Sequence, residues 1–384
     1  MDDLRPIDPD GDDAAWRLGA VTFGYADEDR PADFHFTAPG RNTWGLYDDT
    51  GRLIARATDR EQSQWFGGRL VPASGVAGVT VAPEWRNRGV ARRMLTHLLH
   101  RAHERGAAIS TLYPTTLTPY RRLGWEEVGA LTSTAWPTSA VAGAVRSPEL
   151  SFRAATDEDL PRLASLYREA AEQSAGMMDR SAPARPLADY HGVTVAVDPA
   201  ARVVGYGAWK RDSGYDASGT VTVDELVGAD AAAVSSLLWT IGGWASVAPT
   251  AILRLPPDHP APLLFPSTGG TVHARHPWML RVVDAPAAFA ARGYPACVEG
   301  VIDLSLVDPE CPWNAGEHRL VLAGGAGRLE PGGSGRVRMT ARGLGAWYAG
   351  VAPATLRRAG LLEGDDPLLA AATAGPPPAL LDYF

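Results

Sequence analysis

The stretch from Val79 to Trp125 constrains this chain more than any other. Val79-Thr80-Val81 reads as the end of a strand, and Pro83 stops it because proline has no N–H to give a ladder. Arg86-Asn87-Arg88-Gly89-Val90-Ala91 then spells R-x-x-G-x-A. Beyond it, Met94, Leu95, Leu98 and Leu99 recur at helical spacing among Arg92, Arg93, His97 and His100. A strand that feeds a helix through such a turn offers the helix's unpaired N–H groups and its positive dipole end to whatever lies over the turn. A phosphate or pyrophosphate fits there. Gly89 permits close approach of the backbone, and Arg86, Arg88 and Arg92 add charge-assisted donors. The same residues also describe a surface helix with a solvated basic end, because short glycine motifs recur by chance.

The context favours the first reading. Strand, turn and helix resemble motif A of the GNAT acetyltransferase superfamily, and Pro119-Tyr120-Arg121-Arg122-Leu123-Gly124-Trp125 resembles that superfamily's Y-x-x-x-G-[FWY] segment. With the length of the chain and its final phenylalanine, the resemblance narrows to the Eis (enhanced intracellular survival) N-acetyltransferases of actinobacteria. It implies acetyl-CoA as cosubstrate, held by Val79, Thr80, Val81, Arg86 to Arg92, Thr115 and Thr116. It also implies that Tyr120 protonates the departing thiolate. Read without the resemblance, Tyr120 is equally a core tyrosine of a small helix.

A chain of 384 residues is too long for one ordinary core, and its 45% hydrophobic and 21% charged composition is that of a globular protein. No apolar run approaches the ~20 residues that span a bilayer. The N-terminus, MDDLRPIDPDGDD, is acidic and polar, the reverse of a signal peptide, so a cytoplasmic location is expected. Cys297 and Cys311 give neither a disulfide framework nor a metal spacing, and both are expected as reduced thiols packed in a core. No H-E-x-x-H or C-x-x-C pattern occurs among the nine histidines and two cysteines, so no metal is expected. A net charge of −8 disfavours nucleic acid and favours cationic partners.

Taken in order, residues 2–30 read as a helix and loop with Ala14, Ala15, Leu18 and Val21 as an apolar stripe. Thr43 to Tyr47 and Leu53 to Ala57 read as strands joined by Asp48-Asp49-Thr50-Gly51. Trp65 to Val71 and Ala73 to Val81 read as two more, then Ala107 to Leu112 and Val128 to Ala135. Pro137 to Pro148 reads as a linker. In the next segment Thr156 caps a helix whose apolar face is Leu160, Leu163, Leu166 and Tyr167. Strands follow at Val193–Val197, Val203–Trp209 and Val221–Leu226, then a helix over 231–244 and a strand over 251–255. The order parallels the first segment, but Val227-Gly228-Ala229-Asp230 puts an acid where phosphate needs a base. This is expected to be a degenerate GNAT-like repeat that does not bind CoA. Last, Leu280 to Asp284, Gly300 to Leu306, Leu320 to Ala323 and Val337 to Thr340 read as mutually paired strands, with 341–346 and 354–359 flanking an apolar patch, Trp347-Tyr348. The resemblance implies a sterol-carrier-like α/β domain here. The expected fold is thus α/β (α+β) in three domains: 1–140 catalytic, 149–278 degenerate and 279–384 sterol-carrier-like.

Acyl transfer from a thioester to an amine needs a polarised carbonyl, an acid and a base. The backbone amides of Val79 and Val81 suit the first. No histidine or glutamate near the motif stands out as base, with Glu61 and Glu84 as possibilities acting through water. The resemblance supplies another answer, the α-carboxylate of Phe384 brought to the active site by the tail Pro376-Pro377-Pro378-Ala379-Leu380-Leu381-Asp382-Tyr383. The simpler account of that tail is packing alone. The resemblance further implies cationic amines as substrates (aminoglycosides, polyamines or lysine-like amines) and assembly as a homohexamer. Acidic and aromatic candidates for the amine pocket are Phe23, Asp27, Glu28, Phe34, Trp65 and Asp382. A catalytically retired GNAT and lipid-carrier-like scaffold is the alternative function.

Overall fold

A computed structural model describes residues 3–26, 30, 34–180, 186–266 and 268–384. It divides into two units, one of Met1–Val128, Pro277–Gly375 and Phe384, the other of Gly129–His276 and Pro376–Tyr383.

In the first unit β1 (Asp3–Pro6) precedes α1 (Asp12–Phe23), which ends where Gly24 takes a left-handed conformation at φ 76°. The buried side of α1 is Asp12, Ala15, Leu18 and Gly19, while Ala14 and Val21 face solvent, so the expected stripe is only half right. Strands β2 (Arg41–Tyr47), β3 (Leu53–Phe66) and β4 (Arg69–Val81) form an antiparallel meander. The expected strand over 65–71 is instead the β3–β4 hairpin. Gly67 and Gly68, both at positive φ (60° and 76°), make a two-residue turn between Phe66 and Arg69. Helix α2 (Val90–Glu104) buries Val90, Met94, Leu95, Leu98, Leu99 and Ala102, and β5 (Ile109–Leu112) returns parallel to β4. Helix α3 (Thr118–Arg122) leads into β6 (Glu126–Pro137).

In the second unit the expected linker is built structure. Helix α4 (Thr138–Val141) buries Thr138 and Val141, and Val141 joins an apolar cluster with Leu237 and Ile241. After β7 (Ser151–Ala154), Thr156 and Asp159 form a reciprocal capping box ahead of α5 (Leu160–Glu172). The bidentate Arg153 guanidinium, at 2.6 and 2.8 Å, holds the Asp159 carboxyl down at about 2. Strands β8 (Gly192–Val197), β9 (Val203–Arg211) and β10 (Thr220–Gly228) are antiparallel neighbours. Helix α6 (Ala231–Gly242) then returns β11 (Thr250–Arg254) parallel to β10. The order β8–β9–β10–α6–β11 repeats β2–β3–β4–α2–β5. β12 (Thr271–Val282) closes this segment of the chain.

The C-terminal part of β12 pairs not with the strands that follow it but antiparallel with β5, Met279 opposite Leu112 and Val282 opposite Ile109, which corrects the expected pairing. After α7 (Ala285–Ala291), the strands β13 (Gly300–Val307), β14 (Gly316–Ala323), β15 (Ala326–Pro331), β16 (Val337–Thr340) and β17 (Leu362–Glu363) form a separate five-stranded sheet of order β15-β14-β13-β16-β17. Helix α8 (Ala341–Tyr348) buries Trp347 and Tyr348 completely, so these are core residues rather than a patch. Helix α9 (Pro353–Arg358), β17 (Leu362–Glu363) and α10 (Leu369–Ala372) complete the first unit. Cys311 is buried in the first unit, but Cys297 is exposed, contrary to expectation.

Candidate active site

The pairing of β4 with β5 stops at Gly75 opposite Thr111, whereas β4 continues to Val81. Its last residues therefore keep an edge that β5 does not cover. Ala82 donates its N–H to Ile54 of β3 at 2.8 Å. Backbone direction alternates along an extended strand, so the N–H groups of Val81 and Val79 point to the uncovered side. Gly78, at φ 56°, sits where the register with β3 slips between Arg56 and Thr58, and a Cβ there would lie 2.7 Å from Arg56 Nη1. This bulge re-aims the end of the strand.

The turn after β4 places two residues in the left-handed region, Asn87 at φ 60° and Gly89 at φ 78°, and Gly89 caps α2. A Cβ on Gly89 would meet nothing within 4 Å, so the space over the helix N-terminus is open. Alternating left-handed residues turn successive N–H groups toward one concavity, a shape suited to anions. The three arginines are exposed and each has a resting partner: Arg86 Nε donates to the Val81 carbonyl at 3.2 Å, Arg88 stacks on the Trp85 ring and Arg92 pairs with Glu310 at 2.6 Å. Arg92 is open to solvent on its side of this pair, although Glu310 is half-buried and also held by Thr96, so solvent screening lets a phosphate compete for the guanidinium. Thr115 and Thr116 are exposed in the loop between β5 and α3, and Thr80 is buried with a hydroxyl that has no partner.

Tyr120 is 8% exposed on α3 and belongs to the same core cluster as Val90, Leu112 and Trp125, against which Val79 and Val81 pack. Burial pushes its hydroxyl up to about 12, so it carries its proton throughout the neutral range. Phe384 lies in the first unit with its ring edge-on to Tyr113, centroids 5.6 Å apart. Tyr113 was not among the expected site residues. Its place immediately after β5, beside the strand divergence, was the available signal.

The pocket candidates scatter. Phe23 and Phe34 join one aromatic cluster with Trp16, Tyr25 and Phe36. Guanidiniums already lie over it, Arg41 on Phe34 at 4.5 Å and Arg56 on Phe36 at 4.3 Å. Trp65 is 8% exposed at the hairpin end of β3. Asp27 and Glu28 lie outside the described residues. Asp382, in the second unit, is held by Arg180 at 2.8 Å and by the Tyr167 hydroxyl at 3.2 Å, so its charge is already met. Of the possible water-relaying bases, Glu84 pairs with Arg52 and Glu61 accepts from Asn42 at 3.0 Å, both on the surface.

The second unit's counterpart of the turn is filled by the chain itself. Asp230 accepts the Ala233 N–H at 2.8 Å and caps α6. On β10, past its last pairing with β11 at Val223, the Leu226 carbonyl takes a hydrogen bond from His259 Nε2 at 2.9 Å. Burial lowers the His259 pKa, and its Nδ1 accepts from Ala261 N, which fixes the neutral tautomer with the proton on Nε2. Among the described residues no group of three or more His, Cys, Asp or Glu side chains could hold a metal ion. No helix is long and apolar enough to cross a membrane.

Three families match in succession: an acetyltransferase (GNAT) domain over residues 3–128, a second acetyltransferase (GNAT) domain over 165–282 and a sterol carrier protein domain over 285–380. A GCN5-related N-acetyltransferase from Kribbella flavida is 32% identical with a TM-score of 0.86, covering 100% of this chain and 99% of the other. An uncharacterized N-acetyltransferase of Streptomyces coelicolor is 28% identical over 302 residues, 74% of this chain and 73% of that protein. Eis1 from Mycobacterium abscessus matches over the whole of both chains with a TM-score of 0.77 at 22% identity, a likeness of fold.

Proposed function

This chain belongs to the GCN5-related N-acetyltransferases, and from that premise we propose how its residues carry out the transfer. It is an acetyltransferase and its cosubstrate is acetyl-CoA. The observation that carries the proposal is the uncovered end of β4 beside the open turn at Gly89. The pyrophosphate lies over the α2 N-terminus, and the thioester carbonyl lies against the Val79 and Val81 N–H groups. A neutral amine attacks that carbonyl carbon. The tetrahedral oxyanion is stabilised by those two donors. The C–S bond then breaks, the sulfur takes the proton of Tyr120, and the amine gives up one proton to a base, leaving an amide and free CoA. Tyr120 recovers its proton from solvent or from that base.

For the base we propose the α-carboxylate of residue 384, in a polypeptide that ends there. The Eis resemblance and the Phe384–Tyr113 contact support this reading. The Eis resemblance also supports a cationic amine as acceptor and assembly as hexamers. Of its three substrate classes, lysine-like amines suit the aromatic cluster near α1. Arg41, over the Phe34 ring, repels a polycation but welcomes an amine that carries a carboxylate, whereas Arg56 is buried with its three nitrogens bonded to Ala15, Gly78 and Tyr25. The division into modules 1–140, 149–278 and 279–384 is kept as part of the proposal.

The test is CoA release from acetyl-CoA across a panel of polyamines, aminoglycosides and lysine derivatives, with product masses read for each. Turnover confined to lysine-like amines supports the full reading. Turnover with other amines retains the transferase and removes the substrate class. A correctly folded protein that releases CoA with none of them supports the retired-scaffold reading instead.

A further inference from the structure

A cavity of about 260 Å³ opens in the first unit where α3, the loop after β13 and the start of α8 meet. Its charged wall is Arg121, Arg122, Arg281, Asp308, Glu310 and Arg342, and it lies outside the residues assigned to acetyl-CoA. Positive charge is in excess. Arg121 and Arg342 share one carboxylate, Glu126, at 2.8 and 2.7 Å. Arg281 takes Asp308 at 2.7 Å and Arg92 takes Glu310. Four arginines therefore meet three carboxylates, and exposed Arg122 adds a fifth cation at the rim.

Arg281 is the independent sign of a ligand. Its side chain is 0% exposed and lies beside the Cys311 thiol and the Trp125 ring, yet Nε and Nη1 have no nitrogen or oxygen partner. Buried guanidinium donors without acceptors are rare because nothing replaces the water they lost. The N-terminus of α8, at Thr340 to Arg342, brings its positive dipole end to the same wall.

We propose that this cavity is a second binding site, for a compact dianion with at least two charged oxygens, such as a phosphate ester or a dicarboxylate. Arg121 and Arg122 follow Tyr120 directly on α3. A ligand bridging them to Arg281 and Arg342 would fix the helix that bears the proposed acid, so occupancy is expected to alter turnover as well as binding.

The experiment is titration calorimetry on the full chain saturated with acetyl-CoA, which fills the turn at Gly89. Inorganic phosphate and citrate are the two probes. At least one is expected to bind saturably, and Arg122→Glu and Arg342→Gln are each expected to weaken it tenfold or more, with acetyl-CoA affinity within twofold of wild type. Binding of phosphate alone points to a phosphate ester, and binding of citrate alone to a carboxylate ligand. The proposal is overturned if neither probe binds wild type, or if both bind Arg122→Glu and Arg342→Gln as they bind wild type. Loss of the probe's binding in Gly89→Asp, with no effect of the other two changes, overturns it as well. Acetyl-CoA binding is measured separately, so failure here is distinct from failure of the transferase reading.

Discussion

A Cβ on Gly124 would lie 1.7 Å from Nη1 of Arg281, so the glycine of the Y-x-x-x-G-W segment exists to make room for a buried guanidinium. Gly124 also sits at φ 95°, where other residues are strained. Gly124→Ala is expected to destabilise the protein by about 3 kcal/mol or more, strain and clash together. Calorimetric unfolding checks this, and an unchanged Tm would mean that Arg281 moves aside freely.

Gly89 presents the opposite case, a positive φ with empty space in front of it. Gly89→Asp is expected to fold with a loss of about 1–2 kcal/mol and to bind acetyl-CoA at least tenfold more weakly, because a carboxylate then occupies the phosphate position. Unchanged affinity by calorimetry would move the cosubstrate elsewhere.

Tyr120→Phe is expected to keep the fold and lose about 10²–10⁴-fold in turnover, the usual contribution of a positioned proton donor. The substitution also has a signature in alkali. The unfolded hydroxyl loses its proton near 10 and the folded one near about 12. Between those values the unfolded state binds fewer protons, so stability falls as pH rises, by about 2–3 kcal/mol in full. Tyr120→Phe removes that component, and its stability should decline less steeply above pH 10. Equal slopes in urea titrations at pH 9 to 11 would contradict the buried hydroxyl.

The tail of residues 376–383 is anchored within the second unit. Ala379 N donates to Ala175 at 2.8 Å, and Arg180 joins Asp382 to the buried Glu225. Arg180→Met leaves two carboxylates without their cation and is expected to cost about 3–5 kcal/mol. In protein whose intact mass shows Phe384 as its last residue, one added residue shifts the carboxylate by about 3.3–3.6 Å. Most activity should then be lost with acetyl-CoA affinity intact. Full activity in the extended protein would remove the carboxylate from the mechanism.

Thiol chemistry separates the two cysteines. Burial pushes the Cys311 thiol up to about 11, with Arg281 pulling the other way, whereas Cys297 is exposed. A thiol reagent at pH 8 should titrate one group in native protein and two in denaturant. Two fast native groups would mean that the Cys311 core opens readily.

What could be read from the chain was local. The R-x-x-G-x-A turn, the α2 stripe and the Thr156 cap each depend on residues within a few positions of one another, and each appears in the fold. Gly67-Gly68 was equally local and was misplaced, because apolar residues continue on both sides and conceal the reversal. The rest is long-range. Nothing near Arg92 announces Glu310, 218 residues away, and nothing near Asp382 announces Arg180. Strand β12 is apolar enough for several neighbours, and only the assembled core selects β5. Tyr383 shows the limit of composition, since it stands in the same apolar tail as Leu380 and Leu381, which are buried, yet is 58% exposed.

Asp230 gives the second GNAT-like unit a counter-ion it can never lose by dilution. A carboxylate one residue from the helix it caps acts at an effective concentration of at least millimolar, whatever the solution contains. A nucleotide phosphate would have to displace that tethered anion and then endure its charge at close range. Titration with acetyl-CoA should therefore end at one equivalent per chain. Turning the repeat into a second donor site would require removing Asp230 and finding the α6 N-terminus another acceptor.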